Sequence, residues 1–487
     1  RPGELVRRGR RREAGRRPHR EHDGRPVHYD RLTATDSTFL RIETPHEPQH
    51  VGSLSLRDGA PLRDETGRVR VEELRDHVGR RIHRVPRLRQ KVMEVPCQQG
   101  RPVWVDHGEF DLDYHVRLTA LPRPGDDQQL RALMGRLQSQ PLDRSRPLWE
   151  MWFVDGLAGD AVGFILKVHH SLGDGIANVD LALALVDLEP DPAPDPDPPA
   201  WRPRPAPSPQ GLLADAIRHQ LTQPWRIGRS ALRSVRDPLP AVESTVNVVR
   251  TLANFAIKPD PAPWNQAVSA HRRWVHADVP LELVRRVRER RAATINDVVL
   301  AACTGALREF MAEHGHATNS VLKAMVPVSR RGDHERGETL GNKVSMILVD
   351  LPIDEADPVR RLERIHADTS ELKGSGYVDG AESIIEIADG IVPLAVPLTR
   401  FVSRSIPMNL VITNIPGPPV PLYLAGARLE RTYPYVEVID HEGLTIAVVS
   451  YDDRLFFGIT ADRDVMRDLD RVAEAIEQEF VALADAP

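Results

Sequence analysis

The sequence predicts an α/β (α+β) fold in two sandwich-like halves joined by a proline-rich connection. Apolar runs of strand length and amphipathic stretches of helical period occur together on both sides of the middle of the chain, so strands and helices must share each core. Between the halves, EPDPAPDPDPPAWRPRPAPSP (189–209) can form neither helix nor central sheet, because proline lacks the amide donor and fixes φ. No short-period repeat is present, which sets aside solenoids and propellers.

Residues 1–28 are dominated by arginine and have no apolar periodicity. They predict a disordered basic arm, either an upstream extension of the folded protein or a tether to an anionic surface. Order is expected from Tyr29, and residues 29–188 form the first unit. Helical periodicity covers 71–85 and 127–140, where Leu130, Leu133, Met134 and Leu137 share one face. Strands are predicted at 102–107, 148–154 and 161–170. The last, AVGFILKVHH, is nearly all apolar, as a strand buried on both faces should be. A helix over 176–188 follows.

Residues 189–265 are expected to hold the extended linker and then amphipathic helices. In WRIGRSALRSVR, Arg226, Arg229, Arg233 and Arg236 fall opposite Ile227, Ala231, Leu232 and Val235. That face suits either solvent over a domain junction or an anionic lipid surface. The second folded unit is 266–487. It has strands at 272–279, 321–329, 342–352, 409–417, 444–451 and 454–460, and helices at 281–291, 295–314, 357–373 and 465–483.

Composition narrows the function classes. Of 487 residues 41% are hydrophobic and 28% charged, so most of the chain should fold as globular protein. The net charge of −5 gives no global argument for nucleic acid, and none is expected as a partner. The two cysteines, Cys97 and Cys303, match no metal-ligand spacing. No metal is expected, and the low cysteine count fits a reducing compartment. No apolar run reaches the ~18 residues a membrane-spanning helix needs, and 391–398 (IVPLAVPL) is too short to span.

Residues 168–177, VHHSLGDGIA, carry the chemistry. Successive side chains of a strand point to opposite faces, so His169 and His170 should not converge on one metal. One should face the packed interior and the other a cavity. Gly173 and Gly175 allow a sharp loop and close approach of a ligand. Asp174 has three readings: a cap for the loop or helix, an ion-pair partner for an arginine, or a group that orients a histidine. No GxSxG elbow for a covalent serine is present.

His169-His170-Ser171-Leu172-Gly173-Asp174-Gly175 matches HHxxxDG and resembles the CoA-dependent acyltransferase superfamily. Other segments resemble the bacterial wax ester synthase/diacylglycerol acyltransferase family in the right order, from about residue 30 to the end. These are DSTFLRIETPHEPQHVG (36–52), Pro147-Leu148-Trp149, Asn296-Asp297, MVPVSRR (325–331), LGNKVS (340–345) and NLVITNIPGPP (409–419).

The resemblance implies two chloramphenicol-acetyltransferase-like sandwich domains with an active-site tunnel at their junction. It also implies transfer of a long-chain fatty acyl group from acyl-CoA, as substrate rather than cofactor, to diacylglycerol or a long-chain alcohol. His170 matches the general base and His169 its support, or else a satisfied core histidine. Asp174 matches a mainly structural position. Asn296 and the Thr413-Asn414 segment are candidate oxyanion donors, with a helix cap the rival reading for Asn296. Gly175 belongs to the same substrate-facing loop.

Pro147, Leu148 and Trp149 are read as channel wall or core, and Arg330 and Arg331 as contacts to CoA phosphates or as solvated charges. The expected location is cytoplasmic, peripheral to the inner membrane face or to lipid inclusions. Two other readings are a condensation-type enzyme acting on a carrier-bound thioester and a silent lipid-binding protein of the same fold.

Overall fold

The structure is a computed structural model. It describes residues 29–173, 183–218, 259–329, 344–374 and 407–487. Asp174, Gly175, Arg330, Arg331, the basic arm, the arginine-striped stretch at 225–236 and the apolar 391–398 lie outside the described residues.

The first half supplies β1 (Asp30–Arg31), α1 (Ala34–Ile42), β2 (His50–Arg57), α2 (Val71–Arg81), β3 (Gln90–Met93), β4 (Val103–Asp106), α3 (Leu112–His115), β5 (Val116–Ala120), α4 (Asp127–Gln138), β6 (Trp149–Asp155) and β7 (Val162–His169). The second supplies β8 (Arg272–Pro280), α5 (Leu281–Arg291), α6 (Ile295–Glu313), β9 (Leu322–Ser329), β10 (Val344–Leu351), α7 (Pro358–Gly374), β11 (Leu410–Pro416), β12 (Tyr423–Leu424), β13 (Ala427–Val436), β14 (Leu444–Tyr451), β15 (Arg454–Asp462) and α8 (Leu469–Asp485).

Two six-stranded sheets dominate, ordered β12-β13-β2-β7-β6-β5 and β10-β9-β11-β14-β15-β8, beside a small β1-β4-β3 sheet. Chain order and sheet membership do not coincide. β12 and β13 come from the second half yet extend the sheet of the first, with Val436 opposite Val51 and Tyr433 opposite Leu54. The sequence reading assigns no strand to 50–57 or 427–436. β13 hides because Pro434 argues against a central strand and a register shift between Leu429 and Arg431 breaks its alternation.

The second sheet packs its helices on one face. α6 is buried along most of its circumference, from Val298 and Leu300 through Cys303 and Leu307, as a helix that is apolar all round must be. Thr294 and Asp297 close a capping box at its start. Asp297 also accepts from Thr369 Oγ1 at 2.8 Å and lies 2.8 Å from His366 Nδ1, which ties α6 to α7.

The opposite face meets the first half. Leu54, Val154 and Ile165 of the first sheet, Leu130 to Leu137 of α4, and Trp274, Tyr451 and Phe456 of the second sheet form one shared core. Contact there is close enough to require glycine twice. A Cβ on Gly458 would stand 1.6 Å from the Pro434 carbonyl oxygen, and one on Gly135 would stand 2.7 Å from that of Arg272.

The proline-rich stretch is extended, as expected, and docked along the first half. Arg81 pairs with Asp187 at 2.7 Å and also with Asp195, Arg89 stacks on Trp201 at 4.6 Å, and Arg204 pairs with Asp106 at 3.1 Å. Residues 209–218 are helical, and Asp215 holds Tyr29 and Arg31 there.

Candidate active site at the junction of the two halves

β7 ends at His169 because the backbone leaves the sheet into a single 3-10 turn, His170–Leu172. His169 caps that turn itself, its Nδ1 accepting from the Ser171 amide at 3.0 Å. Its Nε2 lies 3.5 Å from Glu43 Oε1, close enough for electrostatic hold though poorly aligned for a regular hydrogen bond. His169 is fully buried, and His50, its cross-strand partner, brings Nε2 within 3.6 Å of the same oxygen. Burial lowers the His50 imidazole well below its ordinary range, so it is neutral at pH 7.

Glu43 is the hub. Oε1 accepts from the Gln49 amide at 3.2 Å, and Oε2 takes two bonds from Arg144, at 2.9 and 2.6 Å. Burial pushes this carboxyl up. The His169 contact and the charges of His169, His50 and Arg144 outweigh it and hold the group at about 2.

Lys167, on the same face of β7 as His169, is almost wholly buried. Its ammonium donates to Leu137 O at 2.9 Å and to Gln140 O, carbonyls at and just beyond the C-terminal end of α4, where the helix dipole favours a cation. Burial lowers it to about 8.

His170 points elsewhere. Its ring stacks on Phe39 of α1, centroids 3.8 Å apart and planes 13° from parallel. Its amide donates to Gln49 O at 2.8 Å, and its Nδ1 is buried without a partner among the described residues. The two histidines part company, one locked into the interior and one on a turn, but not by the expected alternation, because the strand ends at His169. Gly173, expected to need glycine's freedom, has φ 165°, extended backbone that any residue adopts.

The remaining candidates scatter. Leu148 and Trp149 sit in the core of the first half at 0% exposure. The Trp149 indole donates to Leu88 O at 2.8 Å and stacks on His115, while Leu148 O accepts from the His169 amide at 3.0 Å. That is the placement of a core anchor holding the histidine strand, next in sequence to Pro147. Asn296 lies inside the first turn of α6, in the helix layer, where Thr294 and not Asn296 is the cap.

Thr413 of β11 lies on the opposite sheet face from Leu410 and Ile412, which pack against the helices, and so faces the junction. Its Oγ1 is buried and has no partner among the described residues. Asn414 alternates back toward the helix face. Among the described residues no group of three His, Cys, Asp or Glu could hold a metal, and no helix is long and apolar enough to cross a membrane.

Sequence reasoning missed Phe39, Glu43, His50 and Arg144. The first three lie inside the 36–52 segment, whose spacing alone could not show that it wraps the histidine turn.

Two interlocked α/β sandwiches with a histidine turn after β7 define a two-domain fold known from other proteins. The first condensation domain of the CDA synthetase shares it, with TM-score 0.58 and 15% identity over 94% of this chain and 97% of that one. Sequence matches narrow the class. Residues 32–299 match the wax ester synthase/diacylglycerol acyltransferase catalytic domain, and 340–484 match the WS/DGAT C-terminal domain.

A probable diacylglycerol O-acyltransferase of Mycobacterium tuberculosis is 31% identical over 93% of this chain and 95% of its own. The O-acyltransferase WSD of Acinetobacter baylyi is 30% identical over 94% and 96%. The wax ester synthase/diacylglycerol acyltransferase of Marinobacter aquaeolei VT8 superposes with TM-score 0.67 and 28% identity, over 93% and 98%. The chain belongs to the wax ester synthase/diacylglycerol acyltransferase family and is an O-acyltransferase.

Proposed function

We propose that the enzyme moves a long-chain fatty acyl group from acyl-CoA to the hydroxyl of diacylglycerol, forming triacylglycerol, and to long-chain alcohols, forming wax esters. One observation carries the assignment of roles: His169 is fully buried, its Nδ1 accepting from the Ser171 amide and its Nε2 3.5 Å from Glu43, whereas His170 stands on the turn with its ring stacked on Phe39.

An alcohol is a weak nucleophile until its proton leaves as it attacks, and a neutral imidazole accepts that proton near pH 7. His170 takes the proton while the alcohol oxygen bonds to the thioester carbon. The tetrahedral oxyanion then collapses, the C–S bond breaks, and the CoA thiolate recovers the proton from the imidazolium. The thioester is already activated, so no acyl-enzyme is required.

Thr413 Oγ1, a buried hydroxyl with no partner among the described residues, suits the oxyanion better than Asn296. His169 and Glu43 position the turn. Asp174 and Gly175 follow the turn in sequence, and Asp174 is assigned the role of a brace. Arg330 and Arg331 are assigned to the CoA phosphates by charge. Acyl-CoA enters the junction from one side and the acceptor from the other, at the cytoplasmic surface of a membrane or lipid inclusion.

Purified protein with labelled acyl-CoA and diacylglycerol, hexadecanol or both tests the reading. Labelled triacylglycerol and wax ester are expected. No ester with either acceptor would overturn it.

A further inference from the structure

The backbone of His170 is fixed on both sides. Its amide donates to Gln49 O at 2.8 Å, and its carbonyl accepts from the Gly173 amide at 3.3 Å. The ring is held differently. A histidine that acts as a base is ordinarily oriented by a hydrogen bond to its other ring nitrogen. His170 Nδ1 is buried and has no partner among the described residues. What meets the imidazole is the face of Phe39, with centroids 3.8 Å apart and planes 13° from parallel.

Phe39 is not used for packing in the ordinary way. The buried residues of α1 are Asp36, Ser37 and Leu40, and Leu40 enters the core of the first half. Phe39 is half-buried and joins none of the hydrophobic cores of the described residues. A large aromatic ring placed for stability alone would sit among apolar side chains. This one lies against an imidazole.

The helix that carries the ring is fastened at both ends. Thr33 caps its start, the side chain accepting from the Asp36 amide at 3.0 Å. At its end Arg144 donates to Leu40 O at 2.7 Å and to Glu43 at 2.6 Å. Glu43 in turn lies 3.5 Å from His169, the residue before His170. Phe39 and His170 are therefore held at one spacing by the same network.

We infer that Phe39 is a positioning residue for the base: its ring face sets the plane of the His170 imidazole and holds the imidazolium more tightly than the neutral ring. The face of a benzene ring is electronegative and attracts a cation stacked on it. The contact strengthens as the proton arrives, so it favours the transition state over the ground state. Phe39 forms and breaks no bond. The proton passes from the acceptor hydroxyl to His170 and on to the CoA thiolate.

This rests on His170 as the base, and the test separates the two. Steady-state kcat and KM are measured for wild type, Phe39→Leu, Phe39→Tyr and His170→Ala, with thermal unfolding as the check on folding. A second series places mono-, di- and trifluorinated phenylalanine at position 39 alone. Fluorine withdraws charge from the ring face and leaves its shape nearly unchanged, a change to which simple packing is indifferent. Expected is a stepwise fall in kcat with each fluorine, reaching a few-fold to about 10-fold, at nearly constant KM and unfolding midpoint. Phe39→Leu should fall by a similar factor, and Phe39→Tyr, which keeps the aromatic face, should retain most of the activity. A wild-type kcat across the fluorinated series, with His170→Ala inactive, would overturn the role of Phe39 alone. So would a raised KM at unchanged kcat, which would make Phe39 a wall for substrate. Substantial activity in folded His170→Ala would overturn the base itself.

Discussion

Phe39 and His170 stack face to face, centroids 3.8 Å apart, which joins the first helix to the turn at the end of β7. The contact fixes the ring plane of the histidine that stands on the turn rather than in the sheet. It is also the contact by which residues 36–52 reach the HHxxxDG motif.

His170→Ala should reduce turnover by at least ~10²-fold, the usual worth of a general base, with an unchanged unfolding midpoint. Phe39→Leu keeps apolar cover but loses the flat face. It should cost a few-fold to ~10-fold in kcat, with KM for acyl-CoA nearly constant. Steady-state kinetics on folded protein check both.

Glu43 gives stability a defined acid dependence. Its folded value of about 2 lies below its ordinary 4.5, so its contribution is complete above about pH 4.5 and is lost as pH falls toward 2. The shift corresponds to about 3 kcal/mol. Glu43→Gln should be less stable than wild type at pH 7, and the gap should narrow on acidification. Denaturant unfolding at several pH values measures it.

Lys167 gives a dependence of the same sign in the alkaline range, here as relief of a buried charge rather than as loss of a paired one. Its folded value of about 8 lies below its ordinary 10.5, so between those values the unfolded chain binds more protons and wild-type stability rises with pH. Lys167→Met should lack this rise. The difference between the two unfolding curves from pH 7 to 10 isolates it.

Thr413 and Asn296 can be separated kinetically. Thr413→Val should lower kcat by about 10- to 100-fold with little change in KM, as loss of an oxyanion donor does. Asn296→Ala should stay within a few-fold in kcat and instead lower stability by up to ~1 kcal/mol, the scale of a helix-end contact. Equal large losses of kcat would return Asn296 to the reacting atoms.

Gly458→Ala places a Cβ 1.6 Å from Pro434 O, so β13 must separate from β15. A loss of about 1–3 kcal/mol or more is expected, with reduced activity because β13 pairs with β2, the neighbour of the histidine strand. Thermal unfolding and ester formation on the same preparation would show both falling together.

The sequence by itself determined the local order of the molecule. Apolar period placed β7, α4, α6 and β14 close to their observed limits, because each buries a face whose spacing is written in the chain. The motifs named the family, while the separation of His169 from His170 came from the turn after β7 and not from strand alternation.

Only the tertiary structure decided which half owns which strand. β13 joins the first sheet through backbone pairing, which side-chain pattern does not encode, and Pro434 disguises it. The company each histidine keeps was decided the same way. Glu43 and His50, from one segment, meet Arg144 and His169, from two others, only when the chain folds. A carboxyl buried among imidazoles reads in sequence like any exposed one, because its desolvation and its partners exist only in the folded chain.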